Sequence, residues 1–345
     1  MRKRLARICT LMLVIGILTA CGKDDNSGDQ TTPSGGTEAE NTPEPVNVSV
    51  AALKGPTAMG MVKFMDDADN GRITSNNYTF TIAAAVDEIT PKIIQGDFDI
   101  AAIPANLAAV LYNNSNGQVQ VMAINTLGVL YIVERGNTVS TIEDLRGKTI
   151  FASGKGATPE YALNYILQEN GIDPGRDVTI EWKSEHAECV AALAANENAI
   201  AMLPQPFVST AQSTEKDIQI ALDLNEEWDR LQAKTENPSG LITGVVVVRT
   251  EFARENPDVV NDFLNHYANS VEFVNSDPGG AAALIGKFNI VPEAIAKKAL
   301  PYCNITFIEG HEMKEKLAGY LKVLYEQNPQ AVGGALPGAG FYFGT

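Results

Sequence analysis

A turn rich in glycine, Ser153-Gly154-Lys155-Gly156-Ala157-Thr158-Pro159-Glu160, is the stretch of this sequence best suited to hold a guest molecule. Its two glycines allow a tight bend and a close backbone approach. Thr158 can cap a following helix, and Pro159 suits a first helical position because its φ is already set. The unpaired N–H groups of such a first turn attract an anion or a carbonyl oxygen, by roughly 0.3–1 kcal/mol when exposed. An isolated Gly-x-Gly is as readily a plain loop, so the reading depends on recurrence. Lys54-Gly55-Pro56-Thr57-Ala58-Met59-Gly60 repeats the pattern, and Pro104-Ala105-Asn106 and Pro204-Gln205-Pro206 are further turns that follow apolar runs.

Other chemistry is sparse. The histidines are His186, His266 and His311, and there is no nucleophile elbow, phosphate-binding loop or Cys-x-x-Cys pair. In Glu185-His186-Ala187-Glu188-Cys189, a helix would put His186 and Cys189 on one face. A third and fourth metal ligand are not evident, so this reads as a solvated helix start with a packed thiol. No metal or cofactor is expected.

The turns need a frame, and the sequence supplies one. Strand-like runs at 46–53, 78–83, 98–103 and 119–124 alternate with helical patterns at 61–68, 87–95 and 105–111. The pattern restarts at Gly128 with strands at 129–133, 149–152, 178–182, 199–203 and 218–222. Helices follow at 161–167 and 187–195 and after Pro206. Such a βαβα order implies mostly parallel sheets covered on both faces. Leu130-Tyr131-Ile132-Val133 and Val245-Val246-Val247-Val248 form a weak internal repeat, each a buried strand that follows a glycine and precedes a helix. Helices from Pro257, at 281–287, 292–300 and 312–325, precede a glycine-rich tail in which Phe341, Tyr342 and Phe343 serve as packing anchors. The expected architecture is α/β with two lobes, 46–126 plus 243–345 and 127–242, each a mostly parallel sheet flanked by helices. The chain crosses between them near 126–128 and 238–244, and ligands sit beyond the carboxyl ends of the strands, where the four turns lie.

The amino end reads differently. Arg2, Lys3, Arg4 and Arg7 precede an apolar run from Ile8 to Leu18 and then Leu18-Thr19-Ala20-Cys21, the order of a lipoprotein signal with cleavage before Cys21. The run is shorter than the ~20 residues that a spanning helix needs. Residues 22–45 hold only Ala39 as a clearly apolar residue before the first strand begins. They read as a flexible tether with a reach of roughly 27 Å. Removing residues 1–20 leaves a net charge of −20, which argues against nucleic acid and against an electrostatic hold on anionic lipid. Cys189 and Cys303 then remain and read as two buried thiols rather than a bridge.

Five segments carry a family likeness: "KGPTAMGM", "FDIAAIPANLAAVLYN", "LRGKTIFASGKGATPEYALNYIL", "AIAMLPQPFVSTA" and "ENPDVVNDFLNHYANSVEFVNSDP". Over residues 46–345 the chain resembles the solute-binding lipoproteins of ABC importers, in the branch of nitrate, taurine, aliphatic-sulfonate and thiamine-precursor binders. The resemblance implies a two-lobed, periplasmic-binding-protein-like fold of type II. It also implies a monomeric, non-enzymatic receptor, lipid-anchored outside the cytoplasm through Cys21, which delivers a small solute to a permease and its ATPase. It carries over ligand contacts to Gly55, Pro56, Thr57, Ala58, Met59, Pro104, Asn106, Gly154, Lys155, Gly156, Ala157, Thr158 and Gln205. No arginine stands in these turns, and lysine is a point charge rather than a bidentate clamp. Met59, Tyr112, Trp182 and Phe207 could instead enclose a ring, so a heterocycle competes with a sulfonate or carboxylate. The rival readings are an enzyme of the same fold, akin to thiamine-pyrimidine synthases, and a sensor that presents its ligand to a membrane kinase.

Overall fold

A strand buried on both faces of its sheet must be apolar on both sides, and Val245–Val248 satisfies this with four consecutive valines that are fully buried. Val245 and Val247 enter one core, and Val246 and Val248 enter a second on the opposite face of the same sheet. Each such burial contributes roughly 1.5–3 kcal/mol relative to exposure. The computed structural model describes residues 44–236 and 238–345. The predicted signal peptide, Cys21 and nearly all of the tether lie outside the described residues.

The first half of the chain supplies β1 (Asn47–Leu53), α1 (Pro56–Met59), α2 (Val62–Asp69), β2 (Asn77–Ala83), α3 (Thr90–Gln95), β3 (Ile100–Pro104), α4 (Ala105–Asn114) and β4 (Val119–Leu127). Next come β5 (Leu130–Arg135), β6 (Thr149–Ser153), α5 (Thr158–Glu169), β7 (Thr179–Lys183), α6 (His186–Ala195), β8 (Ile200–Pro204), α7 (Phe207–Thr214), β9 (Ile218–Asp223) and α8 (Leu224–Gln232). The chain then returns through β10 (Ile242–Arg249), α9 (Thr250–Glu255), α10 (Pro257–Ser276), α11 (Pro278–Lys287), α12 (Glu293–Ala299), β11 (Ile305–Glu309) and α13 (Gly310–Gln327).

These strands form two sheets, ordered β11-β4-β10-β3-β1-β2 and β7-β6-β8-β5-β9. In the first, β1 lies parallel to β2 and β3, while β10 is antiparallel to β3 and β4. The second copies this plan, with β6 parallel to β7 and β8 and with β5 antiparallel to β8 and β9. The internal repeat thus has a structural meaning: β5 and β10 are the equivalent reversed strands of their sheets. Each sheet is mixed and flanked by helices, and the chain passes between sheets from β4 to β5 and from α8 to β10.

Two elements were not expected from the sequence. Helix α8 carries Leu224, Trp228 and Leu231 on one buried face and is capped by Asp223, whose side chain accepts from the N–H groups of Asn225 and Glu226. Strand β11 pairs only with the outer edge of β4 and does so with an irregular register. The tail anchors hold in part: Phe341 and Tyr342 are buried, and the Phe343 N–H donates to Val121 O at 2.9 Å.

Gly128 marks the first passage between sheets. Its N–H donates to Asn225 Oδ1 at 3.1 Å, and its carbonyl accepts from Asn304 Nδ2 at 2.5 Å. A Cβ there would stand 2.7 Å from Asn225 Oδ1 and 2.8 Å from Leu241 Cδ2, so this close approach needs glycine.

Candidate functional site

Four strand ends lead into short turns, and a chain of contacts brings these turns around the passages between sheets. After β1, Gly55 adopts φ 125°, a conformation suited to glycine. It starts α1, with Pro56 at the first position. Thr57 Oγ1 donates to Leu53 O at 2.7 Å, and Thr57 O accepts from Asn125 Nδ2 at 3.2 Å. Ala58 and Met59 are buried, and Met59 Sδ lies 3.9 Å from Cys303 Sγ. Burial in this apolar setting pushes the Cys303 thiol up to about 12.

Pro104 pairs with Gly244 of β10. A Cβ on Gly244 would lie 2.5 Å from both Asn125 Oδ1 and Thr57 Cγ2, which places the 55–59 and 104–106 turns beside the end of β4. Asn106 opens α4 and reaches the other sheet's turn, accepting from Thr158 Oγ1 at 3.3 Å. In that turn Gly154 and Gly156 have φ of 84° and 78°. Ala157, rather than Thr158, occupies the cap position of α5, Thr158 is the first helical residue, and Pro159 is the second. The threonine hydroxyl therefore does not cap its own helix.

Gln205 follows β8, and its N–H donates to Val129 O at 3.0 Å, beside the first passage. The residue is 1 % exposed. Its Oε1 accepts from the N–H of Ser209 at 3.3 Å and from Ser209 Oγ at 2.9 Å. Its Nε2 has no hydrogen-bond partner among the described residues. A buried amide N–H2 without an acceptor costs free energy on the scale of a lost hydrogen bond, so this donor is poised for a guest or a bound water.

His186 and Ser153 join this set: Ser153 opens the glycine-rich stretch, whereas His186 stands outside the turns read as ligand contacts. Ser153 ends β6, His186 opens α6, and Ser153 Oγ is bonded to His186 Nδ1. The imidazole ring also packs on Phe207, with centroids 4.9 Å apart. The available signal was positional: His186 lies just past β7, where ligands of open α/β sheets collect. Asn125 was legible in another way, as a polar residue inside the apolar run of β4, where a buried amide demands a partner.

Desolvation lowers the His186 pKa below its ordinary 6.5, so the ring is neutral at pH 7. Because the unfolded chain takes up a proton that the buried ring resists, this group's stabilising share is present above about 6.5 and is lost as pH falls through the folded value. The melting temperature is therefore expected to drop more steeply between pH 7 and 5 in the native chain than in His186→Asn. Equal slopes would show that the ring is solvated.

The two lysines of the turns, Lys54 and Lys155, are exposed and face solvent. Lys155 lines a depression of about 490 Å³ with Glu160, Asn164 and Trp182, on the outer flank of α5. A second depression of about 600 Å³ adjoins it, between Gly156, Glu160 and Asn164 on one side and Glu326 and Asn328 on the other. Neither is the place where the strand ends meet. That interior presents the neutral Gln205 donor. Of the residues that could enclose a ring, Met59 is core, Tyr112 packs edge-on against Phe341, Trp182 lines the depression beside Lys155, and Phe207 stands beside His186. Among the described residues no cluster of His, Cys, Asp or Glu could hold a metal ion. Cys189 and Cys303 are free thiols. No described helix is long and apolar enough to cross a membrane.

Two mixed sheets of matching order, joined by two passages and meeting at their strand ends, are the plan of periplasmic solute-binding proteins. Residues 75–283 match the family described as ABC transporter, phosphonate, periplasmic substrate-binding protein, and the chain belongs to that family. No curated protein matches the chain by sequence. Among solved structures, an ABC transporter protein from Parabacteroides distasonis is similar in fold with a TM-score of 0.71 and 22 % identity, covering 86 % of this chain and 98 % of that one. The periplasmic aliphatic sulphonate binding protein SsuA from Escherichia coli gives a TM-score of 0.67 at 15 % identity, covering 85 % and 91 %. The periplasmic nitrate-binding protein NrtA from Synechocystis PCC 6803 gives 0.59 at 12 % identity, covering 84 % and 83 %. The chain is thus the extracytoplasmic solute-binding component of an ABC importer.

Proposed function

We propose that this receptor, lipid-anchored through Cys21, binds a small solute bearing an oxyanion and hands it, as a monomer, to an ABC permease and its ATPase. The solute lies between a lobe of residues 46–126 plus 243–345 and a lobe of residues 127–242. The observation that supports this reading most is the buried, unpartnered Gln205 Nε2 among neutral donors at the strand ends. Thr158 stands in the first turn of α5, where backbone N–H groups favour an anion. The ligand contacts proposed are Gly55–Met59, Pro104, Asn106, Gly154–Thr158 and Gln205, with Ser153 and His186 added. Lys155 would contribute through its backbone, since its side chain is exposed. The family's phosphonate description and the sulphonate and nitrate binders of the same fold favour an oxyanion head.

The His186–Phe207 ring pair favours a second reading, a flat heterocycle held against that wall. A thermal-shift panel separates the two. Phosphonates, sulfonates, carboxylates and nitrate are expected to raise the melting temperature, while pyrimidines and purines are not. Stabilisation by pyrimidines alone would replace the oxyanion reading with the heterocycle.

A further inference from the structure

We infer that Thr158 is a closure latch: its side chain ties the two lobes together through Asn106 and Tyr320, so that the receptor populates the closed arrangement before solute arrives. This rests on the two-lobe reading above but not on the identity of the solute. Thr158 Oγ1 donates to Asn106 Oδ1 at 3.3 Å and accepts from the Tyr320 hydroxyl at 3.1 Å. Thr158 follows β6 in one sheet's half of the chain, whereas Asn106 follows β3 and Tyr320 lies on α13 in the other. A hydroxyl has one proton to give. Once that proton goes to Asn106, the side chain has none for a solute oxyanion, and the residue's contribution to binding falls to its backbone N–H.

The latch is reinforced on both sides. Asn106 Nδ2 donates to Ala331 O at 3.4 Å, fixing which end of the amide faces Thr158. Tyr320 is fully buried, and its ring lies 5.7 Å from that of Trp228 on α8, which belongs to the lobe of Thr158, so this packing also joins the two lobes. One turn along α5, Tyr161 OH accepts from Asn328 Nδ2 at 3.1 Å, and Tyr161 O accepts from Gln327 Nε2 at 2.9 Å. Opening the cleft at α4 must break the Thr158–Asn106 bond. A bond present only in the closed state shifts the balance of open and closed forms by its own strength. A neutral hydrogen bond corresponds to a factor of about three to ten.

The test measures closure without solute. Spin labels are placed at Asp87→Cys and Glu185→Cys in the full chain, with C9S and C21S removing other reactive thiols. Both positions are exposed and lie just past β2 and β7, the edge strands farthest from the passages. Cys189 and Cys303 are fully buried and stay unlabelled. The ligand-free chain is expected to show a dominant short distance. Thr158→Val, Asn106→Ala and Tyr320→Phe are each expected to lower the ratio of short to long by about three- to tenfold. A wild-type chain that is wholly open overturns the latch, as do unchanged distributions in folded variants. Asn106 is only partly buried, so Asn106→Ala decides the matter should Tyr320→Phe fail to fold. Failure to find an oxyanion solute would remove the proposed ligand class and leave this result standing.

Discussion

Gln205→Glu is expected to lower affinity for an oxyanion solute by about two to three orders of magnitude while the receptor stays folded. The substitution keeps shape and keeps the oxygen that accepts from Ser209 N and Oγ. It changes only the outer atom, from the unpartnered N–H2 donor to a carboxylate oxygen. A hydrogen bond to a charged group contributes roughly 1.5–3 kcal/mol, and its replacement by like-charge contact in a poorly hydrated site adds to the loss. At 1.4 kcal/mol per factor of ten, the combined effect reaches the stated range. Burial would raise the introduced carboxyl's pKa, so part of the affinity should return as pH is lowered and the group regains a proton. Calorimetric titration with the strongest oxyanion of the panel reads both effects. Native affinity in Gln205→Glu would take this amide out of the site.

Gly244→Ala should be the most damaging single methyl group in the cleft. The added Cβ would stand 2.5 Å from Asn125 Oδ1 and 2.5 Å from Thr57 Cγ2, against ordinary contacts of about 3.5–4 Å. Strand β10 cannot retreat, because β3 and β4 pair with it on either side. Either the overpacking is tolerated at about 1–3 kcal/mol, or Asn125 moves and its bond to Thr57 O is lost at a similar cost. At ~1.6 °C per kcal/mol for a folded body of about 300 residues, a fall in melting temperature of roughly 2–5 °C follows. Displacement of Thr57 would also carry α1 out of position and weaken solute binding. Gly338→Ala is the control: it has no neighbour within 4 Å of a Cβ and should melt as the native chain does. Equal melting of the two variants would show that the strand relaxes freely.

Much of the architecture was legible because sheets covered on both faces impose a strong pattern. Runs such as Ile100–Ile103 and Val245–Val248 are apolar at every position, which only a strand covered on both faces tolerates. Glycine and proline punctuate their ends, so the turns at 55–59, 104–106, 154–158 and 204–206 could be named in advance. Helix α8 escaped notice because its apolar face is three residues wide in an otherwise charged segment, and Trp228 packs only where Tyr165 and Tyr320 are brought to meet it. Strand β11 exists because β4 offers an open edge, a fact held in no local pattern.

The site divides along the same line. Residue type and order determined which turns bend on glycine, since positive φ is a property of a few consecutive residues. Which side chains face inward was decided by the tertiary structure. The turn around Thr158 sends Lys155 outward, leaves its own helix uncapped by Thr158, and binds that hydroxyl to Asn106 and Tyr320. The lone donor of Gln205 and the Ser153–His186 pair likewise arise only when β6, β7 and β8 lie side by side. The physical reason is range: backbone conformation is set by neighbours in sequence, whereas a side chain's partner and its desolvation are set by neighbours in space.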